Sequence, residues 1–204
     1  GDAKGADSRA RAGVRLPIKG WGGPVGAWGG KRVGRGGAAN ATGAERAGQQ
    51  GPLEAGESSQ SVGVVVTFGK FRYADLGDLT WNKQLTLLCP DNKVGKVDLY
   101  LTTHHGGDDS PKALWGMAPR VAIMNNGPMK GGDPLGWKTV KGSPGLEDLW
   151  QLHFALAGGK DTNVPDTFIA NVDANDQGRP LTGAALAEGS FTGTIPRNKF
   201  TNTN

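Results

Sequence analysis

The chain of 204 residues holds one cysteine and three histidines. A lone cysteine, Cys89, excludes an internal disulfide and any zinc site built from several thiolates. It follows Leu87-Leu88 and precedes Pro90, which reads as a buried structural thiol rather than a nucleophile. No apolar run approaches the roughly 20 residues that a membrane-crossing helix needs. The first residues lack the apolar stretch of a secretion signal, but a mature or shortened chain would have lost one, so the compartment stays open. Also missing are G-x-S-x-G, a Walker loop and a dinucleotide fingerprint, which removes sequence support for serine-hydrolase or nucleotide chemistry. Aromatic residues make up only 7% of the chain.

Glycine, by contrast, is abundant at 35 residues. That composition favours a loop-rich fold over a helix bundle. The net charge of +4 is unevenly placed: residues 1–60 hold nine Lys/Arg against five Asp/Glu, and residues 61–204 hold fourteen of each. The high isoelectric point therefore belongs to the N-terminal segment, and the rest carries no nucleic-acid footprint. Residues 1–60 show neither helical nor strand periodicity and read as a Gly/Ala/Arg-rich flexible arm or long surface loop. Basic residues interleaved with Trp21 and Trp28 are the chemistry that binds single-stranded nucleic acid by charge and stacking. Residues 61–204 are expected to form one domain.

Order is expected from Ser61. VGVVVTF and FRYADLG, joined by Gly69-Lys70, predict a hairpin whose second strand ends at Asp78. LTWNKQLTLL predicts a short helix broken by Pro90-Asp91-Asn92. KVDLYLTT predicts a strand, SPKALWGMAP a short helix capped by Ser110, and RVAIMNN another strand. Residues 128–142 read as a Gly/Pro-rich loop. SPGLEDLWQLHFALAGG predicts a helix, capped at Ser143 and stopped by Gly158-Gly159, with Leu146, Leu149, Trp150, His153 and Leu156 on one face. TFIANVD predicts a strand, and GSFTGTI a last hairpin. Strands alternating with helices indicate an α/β layered domain.

Three apolar runs each end in a polar cluster: Gly77-Asp78, His104-His105-Gly106 and Asn125-Asn126-Gly127. Asp78 is a candidate metal carboxylate at a strand end, or a turn residue. His104 and His105 lie side by side at another strand end, where the following glycines let the chain bend. One imidazole is then placed to ligate a metal, and the other to support it or to contact substrate. His153 reads as a core histidine, a third ligand, or a group bonding a ligand from behind. Asp108 and Asp109 read as residues that solvate the loop or precede the Ser110 cap.

In order and spacing, SVGVVVTFGKFRYADLGDLTWNKQL, KVDLYLTTHHG and PRVAIMNNG resemble the C-terminal half of a metallo-β-lactamase-fold hydrolase. The branch with the greatest likeness includes the soluble domain of the bacterial competence DNA-uptake channel. The likeness covers roughly residues 58–130, and residues 142–159 also resemble stand-alone bacterial members. It implies an αββα sandwich, present here as a partial version. It also implies a metal-dependent hydrolase in which Asp78 bridges metal and the His104-His105 pair supplies a late ligand; His153 is a further metal candidate that the resemblance does not supply. One or two Zn²⁺ ions, or Mn²⁺, would make hydroxide near neutral pH. The implied substrates are small-molecule lactams, lactones and esters, or phosphodiesters. The family's principal motif, His-x-His-x-Asp-His, is absent, and residues 1–60 resemble the variable loop that joins the two halves. The resemblance thus implies a fragment, a cleavage product or a member with a decayed site. Such a half should expose an apolar sheet face and need either its other half or a homo-oligomer to cover it.

Overall fold

The computed structural model describes residues 14–15, 25–29, 61–107, 109–173 and 178–204. Strands β1 (Val14–Arg15) and β2 (Val25–Gly29) come from the N-terminal segment. They pair with strand residues Leu181 and Thr182 and with Val62 to Val66 respectively, so two short pieces of the expected arm belong to sheets. A peripheral strand needs only backbone partners, and side-chain periodicity does not have to announce it. The basic-arm reading otherwise lies outside the described residues.

Strands β3 (Val62–Phe68) and β4 (Phe71–Asp75) form the expected hairpin, with Phe68 opposite Phe71 across a Gly69-Lys70 turn. Gly69 has φ 59°, and a Cβ there would collide with the backbone of Ala187, so both conformation and space call for glycine. From β4 the chain runs through three strand–helix–strand units. Helix α1 (Trp81–Leu88) leads to β5 (Leu99–Leu101), α2 (Pro111–Met117) to β6 (Val121–Met124), and α3 (Pro134–Lys141) to β7 (Asp148–His153). Strand β8 (Ile169–Asn171) completes a seven-stranded sheet ordered β2-β3-β4-β5-β6-β7-β8. Strands β4 to β8 are parallel to one another, as helical crossovers require. Strands β9 (Leu181–Ala185), β10 (Phe191–Ile195) and β11 (Phe200–Thr203) make a second sheet with β1.

Alternation along the parallel strands builds two cores. Tyr100, Ala122, Met124 and Leu149 face the helices and pack with Leu87, Leu114, Met117 and Val140. Leu99, Val121, Ile123 and Trp150 face the second sheet and pack with Leu181, Phe191 and Ile195. Trp150 is fully buried, with the Phe168 ring 4.9 Å away and the Phe200 ring 5.6 Å away. The layers are therefore helices, mixed sheet and second sheet, a mixed α/β domain. The expected exposed apolar face is not found on these central strands, because β9 to β11 cover it.

Two expected elements change. The helix expected over residues 143–159 is instead β7, with all six residues buried. A strand covered on both faces has no polar side, and the run Leu149-Trp150 with Leu152 mimics a helical stripe. Conversely, the expected loop 128–142 contains α3, which starts with Asp133 at the cap and Pro134 in its first turn and places Trp137 and Val140 toward the core.

Candidate functional site

Because β4 to β8 are parallel, their carboxyl ends share one edge, the place where open α/β sheets bind ligands. Asp78 reaches that edge on a turn. Strand β4 stops at Asp75, earlier than expected, and Gly77 continues with φ 58°. Asp75 Oδ1 accepts the Gly77 N–H at 2.8 Å, and Ser61 Oγ accepts the Asp78 N–H at 3.1 Å. Leu76 and Leu79, both buried, anchor the turn and leave the Asp78 carboxylate 41% exposed.

The next strand delivers the histidines. Both are in left-handed backbone, with φ 48° at His104 and 59° at His105. Such a conformation costs about 1–2 kcal/mol for each non-glycine residue, so its surroundings must hold it. The His104 N–H bonds the Gly77 carbonyl at 3.1 Å, tying the histidine turn to the Asp78 turn. The His105 carbonyl accepts the Gly132 N–H at 2.8 Å. Gly106, with φ 79°, packs against Met124 where a Cβ would not fit.

A buried polar network lies beneath. Asp109 Oδ1 accepts the Tyr100 hydroxyl at 2.6 Å and the Thr103 hydroxyl at 2.9 Å. Gln84 donates to Thr103 Oγ1 at 3.0 Å and accepts the Ser110 N–H at 2.9 Å. Asp109, expected to solvate the loop or precede the Ser110 cap, is 2% exposed and instead fastens the loop to Tyr100 of β5, while the next residue, Ser110, is tied to Gln84 of α1. A carboxylate in that position needs this many donors to offset its desolvation. Burial, then the Asp109 charge and hydrogen bond, hold the Tyr100 hydroxyl in its neutral, donating form by raising its pKa well above 10.0. Asp108 lies outside the described residues.

His105 Nδ1 sits 3.2 Å from the Asn125 carbonyl, which can only accept. In the neutral ring, Nδ1 carries the proton and the Nε2 lone pair faces Asp78 Oδ1 at 3.8 Å. A backbone carbonyl behind an imidazole is the usual support of a metal-ligating histidine. The two adjacent histidines are thereby distinguished. His105 pairs with Asp78, while the His104 ring stands 6.4 Å from that of His105 and tilts by 51°.

His153 does not join them. It ends β7, is 4% exposed, and its strand position places it on the helix-facing side with Leu149 and Gln151. Asn126 holds its backbone, donating to the His153 carbonyl at 2.8 Å. Among the described residues, no group of three or more His, Cys, Asp or Glu side chains converges to hold a metal. Donors bound to one zinc at about 2.0–2.2 Å stand roughly 3–4 Å apart, so Asp78 and His105 fit two positions. Asn125, Asn126 and Ser61 are the residues that sequence reasoning underused, although the Asn125-Asn126-Gly127 cluster marked the right strand end.

A separate concavity of about 450 Å³ opens at the opposite edge, among Lys70, Asp98, Arg120 and Glu188. Its charges are partly matched internally, with Arg120 Nε 3.2 Å from Asp98. Cys89 is partly exposed, and burial raises its thiol pKa. Among the described residues no helix is long and apolar enough to cross a membrane. No protein-family model matches the chain, and neither a curated protein nor a solved structure gives a significant match.

Proposed function

We propose that this chain is the C-terminal half of a metallo-β-lactamase-like αββα hydrolase, in which Asp78 and His105 hold a Zn²⁺ or Mn²⁺ ion. The observation that carries the reading is the His105 ring, with Nδ1 tied to the Asn125 carbonyl and Nε2 turned toward a part-exposed carboxylate. When bound, the ion would supply an acidified water and polarise the scissile group. Asp78 contributes negative charge at the sheet edge, His105 a fixed lone pair, and His104 a second imidazole beside the substrate position. The helix, sheet and second-sheet layers correspond to three of the four layers of that sandwich. The remaining ligands and the fourth layer are assigned to an N-terminal half or to another copy of the chain.

The reaction class is hydrolysis of an ester, lactone, lactam or phosphodiester. The test is metal analysis of purified protein with its mass in solution recorded on the same sample. Zinc near one per chain, lost in Asp78→Asn, supports the reading. A metal-free protein whose hydrolytic activity is unchanged by Asp78→Asn would sink it. A second reading, a non-catalytic assembly module, is favoured by the two-ligand count among the described residues. It requires an obligate oligomer that hydrolyses none of these substrates.

A further inference from the structure

Charge is segregated within residues 61–204. That stretch balances fourteen Lys/Arg against fourteen Asp/Glu, yet the three helices with their flanking turns (80–96, 110–118 and 133–142) hold six lysines and two aspartates. Helices α1, α2 and α3 themselves carry Lys83, Lys112, Lys138 and Lys141 and no acidic residue. They pack side by side as one layer, whose inner side meets the sheet through Leu87, Leu114 and Val140. The outer side of that layer is therefore basic, and Lys112, Lys138 and Lys141 are all exposed on it.

Apolar side chains accompany the lysines. Trp115 is 42% exposed and Leu135 69% exposed. Lys112 and Trp115 stand three residues apart on α2, and Leu135, Lys138 and Lys141 repeat at the same interval along α3, so each set shares a helix face. The two faces adjoin. Trp115 Nε1 donates to the Thr139 carbonyl of α3 at 2.9 Å, and a Cβ added to Gly142 would stand 3.5 Å from the indole ring.

Lysines interleaved with an exposed Trp and Leu, and no carboxylate among them, make a surface suited to an anionic bilayer. Ammonium groups meet headgroup phosphates there while apolar side chains reach the acyl boundary. A single-stranded polynucleotide is held instead by a groove and a row of stacking aromatics. Among the described residues Trp115 is the only exposed aromatic. Residues 1–60 are themselves at +4, so the chain's own N-terminal segment offers this face no net opposite charge.

We infer that the outer side of the helical layer docks on an anionic lipid leaflet, with Lys112, Lys138 and Lys141 on the phosphates and Trp115 and Leu135 at the headgroup boundary. The inference stands apart from the metal reading, since none of these residues belongs to the Asp78–His105 pair.

The experiment sediments the full chain with vesicles of phosphatidylcholine, alone or mixed with phosphatidylglycerol. It is run at about 0.1 M and about 1 M salt, where charges act over about 10 Å and about 3 Å. At the lower salt, partitioning onto mixed vesicles is expected to exceed that onto phosphatidylcholine by at least about tenfold, and at the higher salt to fall to the phosphatidylcholine level. The triple variant Lys112→Gln/Lys138→Gln/Lys141→Gln, which retains residues 1–60, should lose at least about tenfold on mixed vesicles with its unfolding midpoint unchanged. Leu135→Ser should lose about threefold or more. Equal partitioning of the wild-type protein onto the two vesicle types overturns the inference, as does a triple variant that binds mixed vesicles like the wild type. A Leu135→Ser protein that partitions like the wild type reduces the effect to adsorption by charge alone, and the docking falls. If a single-stranded DNA oligonucleotide binds the wild type and not the triple variant, while mixed vesicles bind neither, the face serves a polynucleotide and the inference falls.

Discussion

His105 Nε2 faces Asp78 Oδ1 at 3.8 Å because the Asn125 carbonyl, 3.2 Å from Nδ1, fixes the ring from behind. The two imidazoles of the His-His pair are therefore not equivalent. His105→Gln and Asp78→Asn should each weaken zinc binding by at least about tenfold, or 1.4 kcal/mol. His104→Gln should leave it within about threefold. Competition with a fluorescent chelator measures all three. Equal losses at His104 and His105 would contradict the assignment.

The same turn stores backbone strain. His104 has φ 48° and His105 has φ 59°, in a region that non-glycine residues occupy at a cost. His104→Gly removes that cost at a position outside the Asp78 pair. It is expected to stabilise the fold by about 1 kcal/mol in denaturant unfolding, while His105→Gly gains stability but loses zinc. A destabilised His104→Gly protein would mean that the His104 ring makes packing contacts worth more than the strain.

Much of this arrangement was legible in sequence because parallel strands bounded by polar clusters declare their own ends. The β3–β4 hairpin, α1, α2, β5, β6 and β8 follow from apolar runs between Gly, Pro and Asn signals. Strand β7 did not, since Leu149, Trp150 and Leu152 are covered on both faces and their spacing fits a helix as well as a strand. Helix α3 was hidden by its length of eight residues and by the glycines around it. At the site, types and positions of Asp78 and the histidines were readable. The choice of His105 was not, because it depends on a backbone carbonyl from β6's end, which no side-chain pattern encodes. The burial of Asp109 was equally hidden, because its partners Tyr100 and Thr103, and Gln84 behind Thr103, lie on other elements.

That network supports the site from below. Asp109→Ala leaves the Tyr100 and Thr103 hydroxyls without their acceptor in a closed interior, which costs about 1–3 kcal/mol for each stranded group. Urea unfolding should show a loss of about 2–6 kcal/mol, with zinc affinity falling as the 103–106 turn loosens. Tyr100→Phe should cost less, about 1–2 kcal/mol, because Thr103 still donates to the carboxylate. If Asp109→Ala unfolds the protein outright, Tyr100→Phe alone reads the coupling between network and site.

Both tyrosines of the chain resist ionisation in the fold. Burial, with smaller effects from Asp109, raises the Tyr100 pKa, and burial with Asp75 raises that of Tyr73. The unfolded chain ionises each near its ordinary value of 10.0, while the folded chain keeps both protonated to higher pH. The unfolded state therefore binds fewer protons above that point, so the tyrosine contribution is fully present below pH 10 and is lost as pH rises beyond it. Each tyrosine removes about 1.4 kcal/mol of stability per pH unit in that window. Tyr73→Phe should remove about half of the tyrosine part of the slope, read by denaturant unfolding at a series of alkaline pH values. Tyrosinate absorbance should appear together with the loss of folded signal. Tyrosinate formed in a protein that is still folded at pH near 10 would show that these hydroxyls reach solvent and would refute the burial account.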